Sequence, residues 1–100
     1  MTIKTAPEKQ KTTREKDDSK EQPRINEPWQ VILYNDDVHS FDEVILQVQK
    51  ATGCGLREAT RITLEAHMNG KSVAYRGEFA DCHRVAGVLR EIQLLVEIQG

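Results

Sequence analysis

The chain has little of several things, and each scarcity narrows what it can be. It has only two cysteines in 100 residues. Cys54 and Cys82 fall in different expected elements without CxxC spacing, so a disulfide-stapled scaffold is excluded and two reduced thiols are expected. No apolar run approaches the roughly 20 residues that span a bilayer. The N-terminus has lysines but no apolar block of the kind that opens a secretory signal. Together these make a soluble, cytoplasmic protein the expectation, with no membrane partner. Positive charge is not in excess either. The formal net charge is -2, and from Pro28 onward seven basic residues face ten acidic ones, a net of -3. Phosphate neutralisation needs clustered Lys and Arg, so nucleic acid is not the expected partner and cationic groups fit better.

Large aliphatic residues are also missing from one part of the chain. Between Met1 and Glu27, apart from Met1 and Ile3, only Ile25 qualifies, and the remainder is mostly Lys, Glu, Thr, Asp, Gln and Pro. Such a segment cannot bury enough apolar surface to offset an ordering cost of about 1–2 kcal/mol per residue. Residues 1–27 therefore read as a disordered tail, either a solubilising extension or an arm for another machine to grip. Residues 28–100 read as one small folded domain.

What is present begins at Trp29. Trp29-Gln30-Val31-Ile32-Leu33-Tyr34 is aromatic and β-branched, follows a proline and stops at Asn35-Asp36-Asp37, the pattern of a strand entering a turn. Ser40-Phe41-Asp42-Glu43 has the form of a capping box, after which Phe41, Val44, Ile45 and Val48 recur on one helical face until Gly53-Cys54-Gly55. A second helix from Leu56 to Met68, with Leu56, Ala59, Ile62 and Ala66 inward, closes at Asn69-Gly70. Lys71 to Arg76 reads as a short strand. Gly77-Glu78 opens a third helix with Phe79, Cys82, Val85, Ala86 and Leu89 inward. Ile92, Leu94, Val96 and Ile98 then alternate with other residues at the period of a half-buried strand. The expected order is βααβαβ, an α+β sandwich with a three-stranded antiparallel sheet carrying three helices on one face.

Asn35, Asp36 and Asp37 form an acceptor-rich cluster suited to a ligand with several N–H donors and positive charge, such as an α-amino group. By spacing alone the same trio is an ordinary strand-to-helix turn. His67 stands in the last turn of the second helix, where the dipole alone accounts for it. It also continues a stripe through Thr60, Thr63 and Leu64 that can wall a pocket. His39, His67, His83 and the two cysteines show no HxxxH, CxxC or CxxH spacing, so neither a metal nor another cofactor is expected. Nucleophilic catalysis has no support: Cys54 sits in a glycine loop and Cys82 on an apolar helical face. Arg57 and Arg61 read as a solvated helical face beside Glu58 and Glu65.

Taken together, the strand ending Val31-Ile32-Leu33-Tyr34-Asn35-Asp36-Asp37, the run Phe41 through Ile45, Glu58-Ala59-Thr60 and His67-Met68-Asn69-Gly70-Lys71 resemble the ClpS adaptor family. The likeness runs from Trp29 to Ile98. It implies a non-enzymatic, monomeric adaptor that binds N-degron clients, proteins whose free first residue is Leu, Phe, Tyr or Trp, and hands them to the ClpA or ClpC unfoldase that feeds ClpP. By the same resemblance, Asn35, Asp36 and His67 receive the α-amino group. His39, Phe41, Val44, Thr63, Ala66 and Leu94 wall the side-chain pocket, and Glu78 and Arg84 contact the N-terminal domain of the unfoldase. Phe41 and Thr63 stand where methionines are common, which implies an altered side-chain preference. The connection near Arg90-Glu91 is also shorter than in many relatives. The alternative is a protein-interaction module of the ribosomal-stalk C-terminal-domain type, which shares the topology but lacks the NDD and HxxGK features.

Overall fold

In the computed structural model residues 28–100 are described; the reading of residues 1–27 as a tail lies outside them. The aromatic run is strand β1 (Trp29–Tyr34), followed by helices α1 (Phe41–Thr52) and α2 (Leu56–Asn69), strand β2 (Lys71–Gly77), helix α3 (Phe79–Arg90) and strand β3 (Val96–Gln99). The strands lie in the order β2-β1-β3, and both pairings are antiparallel. The α+β architecture is therefore the one expected from the patterning.

β1 is central because it is the most apolar strand. Val31 and Leu33, fully buried, form the floor on which Val48 of α1, Ile62 of α2 and Val85 and Leu89 of α3 pack. Each such fully buried aliphatic side chain contributes about 1.5–3 kcal/mol of burial. Ile32 points to the opposite face, outside this core, and is nevertheless covered between its cross-strand neighbours Val73 and Glu97. Between Val31 and Ile32 the pairing with β2 slips by one residue, a bulge that lets both Ala74 and Tyr75 pack toward the core.

The helix ends are set locally. At α1 the Ser40 hydroxyl accepts from the Glu43 N–H at 3.2 Å while Glu43 Oε1 accepts from the Ser40 N–H at 2.9 Å, the reciprocal box the residues spell. Gly53 and Gly70 close α1 and α2 with φ of 77° and 91°, a region that a side chain makes costly.

Three expected details differ. Leu56 and Phe79 are 63% and 49% exposed rather than inward. Each is the first residue of its helix, ahead of the buried stripe that begins at Ala59 in α2 and Cys82 in α3. Phe79 instead meets Trp29 edge-on, ring centroids 5.0 Å apart. The last strand begins at Val96, not Ile92. After α3 the Gln93 N–H bonds back to Arg90 O and Gln93 takes a φ of 64°, so the chain turns before it can extend. The alternation survives even so, with Leu94 and Val96 buried and Leu95 exposed, and the Leu95 carbonyl already accepts from the Tyr34 N–H at 3.0 Å.

Candidate functional site

Asn35 and His67 are far apart in sequence, and the sheet is what brings them together. β2 starts directly after α2, and its first residue, Lys71, pairs with Tyr34 at the end of β1. The Asn35 N–H then donates to Gly70 O at 2.9 Å, fastening the Asn-Asp-Asp turn to the C-terminal cap of α2. His67 lies one turn back on that helix. The start of α1 closes the third side, where Phe41 sets its ring edge-on to the imidazole of His67 at 5.7 Å and 83°.

These elements enclose a cavity of about 30 Å³ lined by Asn35, Asp36, His39, Phe41, Val44, Thr63, Ala66 and His67, together with Leu33 and Tyr34. Leu94 is not in this wall; it is 3% exposed and belongs to the hydrophobic core. Leu33 and Tyr34 line it without being expected from the sequence, although their place immediately before the acceptor turn is a signal for them. Glu78 and Arg84 are not brought to the cavity. Glu78 is the N-cap residue of α3, and Arg84 donates to Ala51 O at 3.2 Å with Asp81 at 3.8 Å.

The carboxylate of Asp36 is held firmly. Its Oδ2 accepts from the Val38 N–H at 3.1 Å, the His39 N–H at 2.6 Å and His39 Nδ1 at 2.9 Å. Partial burial works to raise its pKa, but the two backbone N–H groups and the His39 ring outweigh that and leave it below the ordinary aspartate value. Asn35 Nδ2 donates to Asp37 Oδ1 at 3.2 Å. Among the described residues no donor engages Asn35 Oδ1, Asp36 Oδ1 or the ring nitrogens of His67. The site therefore combines a fixed negative charge, the free amide oxygen of Asn35 and the unengaged imidazole of His67 with an apolar wall of Leu33, Val44 and Ala66. That combination suits a primary ammonium joined to an apolar group.

Elsewhere the chemistry is quieter. Arg61 is clamped by Glu58 at 2.7 Å and Glu65 at 2.8 Å, beside an open, charge-lined groove of about 380 Å³ against β2. Cys82 is fully buried, and burial raises its thiol pKa, with Asp81 adding to the rise and the Gly77 contact opposing it. This is the reverse of what activates a nucleophile. Among the described residues no group of three His, Cys, Asp or Glu is placed to hold a metal ion. No described helix is long and apolar enough to cross a membrane.

Comparison with known proteins places this geometry in context. Residues 24–93 match the family model of the ATP-dependent Clp protease adaptor protein ClpS. The chain is 40% identical over 45 residues to the ATP-dependent Clp protease adapter protein ClpS of Albidiferax ferrireducens, covering 45% of this chain and 38% of that one. It is 37% identical over 57 residues to the human E3 ubiquitin-protein ligase UBR1, covering 57% of this chain but 3% of the ligase. The matched stretches are thus a small part of the ligase and little over a third of the adapter. Among solved structures, that of Agrobacterium tumefaciens ClpS2 bound to L-phenylalaninamide superposes with a TM-score of 0.69 at 18% identity, covering 76% of this chain and 98% of that one.

Proposed function

The chain belongs to the ClpS adaptor family, and from that premise we propose that its cavity captures the free N-terminal residue of client proteins for delivery to a Clp unfoldase. The observation that carries this reading is the convergence of Asn35, Asp36 and His67 on one small apolar cavity. An α-amino group has an ordinary pKa of about 7.7–8.0, so it reaches the site largely protonated with three donors, matching the acceptors of Asn35, Asp36 and His67. Acetylation removes the charge and all but one donor, and adds bulk where the acceptors converge. An acetylated client therefore leaves Asp36 desolvated and unpaired. The first side chain enters between Phe41, Val44 and Ala66, where burial of a leucine-sized group contributes about 1.5–3 kcal/mol. The ligand of the Agrobacterium protein, an aromatic residue with a free amine, is of this chemical class.

On this reading the protein catalyses nothing itself. It acts as a cytoplasmic monomer, and Glu78 and Arg84, exposed on α3 away from the cavity, serve as the contact with the N-terminal domain of ClpA or ClpC. Fluorescence anisotropy with short peptides starting in Phe or Leu, free or N-acetylated, tests the proposal. Free amines are expected to bind at least about tenfold more tightly, the worth of one charge-assisted hydrogen bond. Equal binding of the two forms would refute it.

A further inference from the structure

The cavity has a polar group that amine capture does not use. Thr63 is buried, 4% exposed, in the wall beneath His67. Its hydroxyl is half committed, since Oγ1 donates to Ala59 O at 2.8 Å. A hydroxyl has one proton and two lone pairs, so what remains for the cavity is acceptor capacity alone. The Tyr34 hydroxyl is engaged elsewhere, donating to Glu97 Oε1 at 2.6 Å. The side-chain end of the cavity thus offers the spare lone pairs of Thr63 Oγ1 among the apolar side chains of Leu33, Val44 and Ala66.

Resting on the amine-capture reading above, we infer that this cavity selects a first residue whose ring carries a hydrogen-bond donor, so that tyrosine ranks above phenylalanine, with Thr63 the residue that sets the order. A purely apolar chamber does the opposite, because a tyrosine hydroxyl entering it loses its water and gains no partner, whereas a phenyl ring has nothing to lose. Here the phenol O–H meets an acceptor that is already fixed. The helix holds Thr63 through its bond to Ala59, so little entropy is lost when the new bond forms.

The test uses the full chain and two peptides identical except for Tyr or Phe at the first position, with their N-acetylated forms, each in competition against one labelled peptide. The expected result is a free Tyr peptide about threefold to tenfold tighter than the free Phe peptide. In Thr63→Val, which keeps the β-branched shape, the ratio is expected to fall to one or below; in Thr63→Ser it is expected to stay above one. Phe binding as tightly as Tyr to the unmodified chain overturns the inference, and so does a Tyr preference that survives Thr63→Val. The first of these needs no variant to fold. Acetylated peptides binding as well as free ones is a different failure, that of amine capture itself, and the inference falls with it.

Discussion

Replacing Asp36 in two ways separates what its carboxylate does for the fold from what it does for a ligand. Oδ2 collects the Val38 N–H, the His39 N–H and the His39 ring, which pin the turn between β1 and α1. Asp36→Ala orphans all three donors. By analogy with loss of a helix cap this costs about 0.5–2 kcal/mol, a fall in Tm of roughly 4–8 °C for each kcal/mol in a domain of this size. Asp36→Asn keeps one acceptor oxygen for the same N–H groups while replacing the other with an uncharged NH2, so its cost in stability is expected to stay below about 1 kcal/mol. Binding follows different arithmetic. Both variants lose the charge-assisted bond to the ammonium, worth about 1.5–3 kcal/mol, so both are expected to bind a Phe-initiated peptide roughly tenfold to a hundredfold more weakly. Thermal melts followed by circular dichroism, paired with anisotropy titrations of free and acetylated peptides, read the two effects independently. If folded Asp36→Asn binds the free peptide within about twofold of the unmodified chain, the carboxylate is not the ammonium acceptor. If the two variants melt alike, the bonds to Oδ2 do not hold the turn.

Other perturbations have equally definite outcomes. Leu89 is fully buried where α3 meets the core, and Leu89→Ala is expected to lower unfolding free energy by about 2–5 kcal/mol in a urea titration. Ser40→Ala removes the hydroxyl half of the capping box and is expected to cost about 1 kcal/mol by the same titration, with peptide affinity following only as far as the start of α1 frays. Acid should destabilise the fold. Asp36 is held below its ordinary value of 3.8, and Glu58, Glu91 and Glu97 below 4.5 by hydrogen bonds from Arg61, Lys50 and Tyr34. Groups with depressed pKa stabilise the fold above their unfolded values and lose that contribution as pH falls through the folded ones. The urea midpoint is therefore expected to hold from neutrality to about pH 5 and to drop by about pH 3; a midpoint that does not move would contradict these pairings.

The parts of this structure legible in the sequence are those decided within a few residues. The capping box at Ser40 and Glu43, the left-handed stops at Gly53 and Gly70 and the apolar stripes of the helix interiors all depend on neighbours along the chain, and they appear where the residues place them. Helix periodicity says which residues share a face. It does not say which residues of that face the other elements cover, and Leu56 and Phe79, at the first positions of their helices, lie open to solvent. The alternation from Ile92 onward identified the buried partners correctly but not the start of the strand, because a single left-handed residue, Gln93, turns the chain without disturbing the alternation. Leu94 illustrates the same limit. Its burial followed from the pattern, but whether it lined the core or the cavity depended on where the turn after α3 released the chain.

The site itself depended on a long-range link. Nothing local joins Asn35 to His67; the pairing of Tyr34 with Lys71 does so, and only because α2 passes straight into β2. That link has a mechanical consequence. The acceptors sit at the ends of a central strand and a helix, elements whose hydrogen bonds fix them before a ligand arrives, so capture of an ammonium requires little reorganisation. The side-chain chamber is different. At about 30 Å³ it has room for about one water molecule, far less than a bulky side chain fills. Its most yielding wall is Phe41, 39% exposed and the first residue of α1. Phe41 leans on His67, so on the proposed reading the ring that moves to admit the side chain is the one that touches an amine acceptor. On that reading amine and side chain bind as one event rather than two, and a free amine without a bulky side chain leaves the edge-on contact of Phe41 with His67 in place.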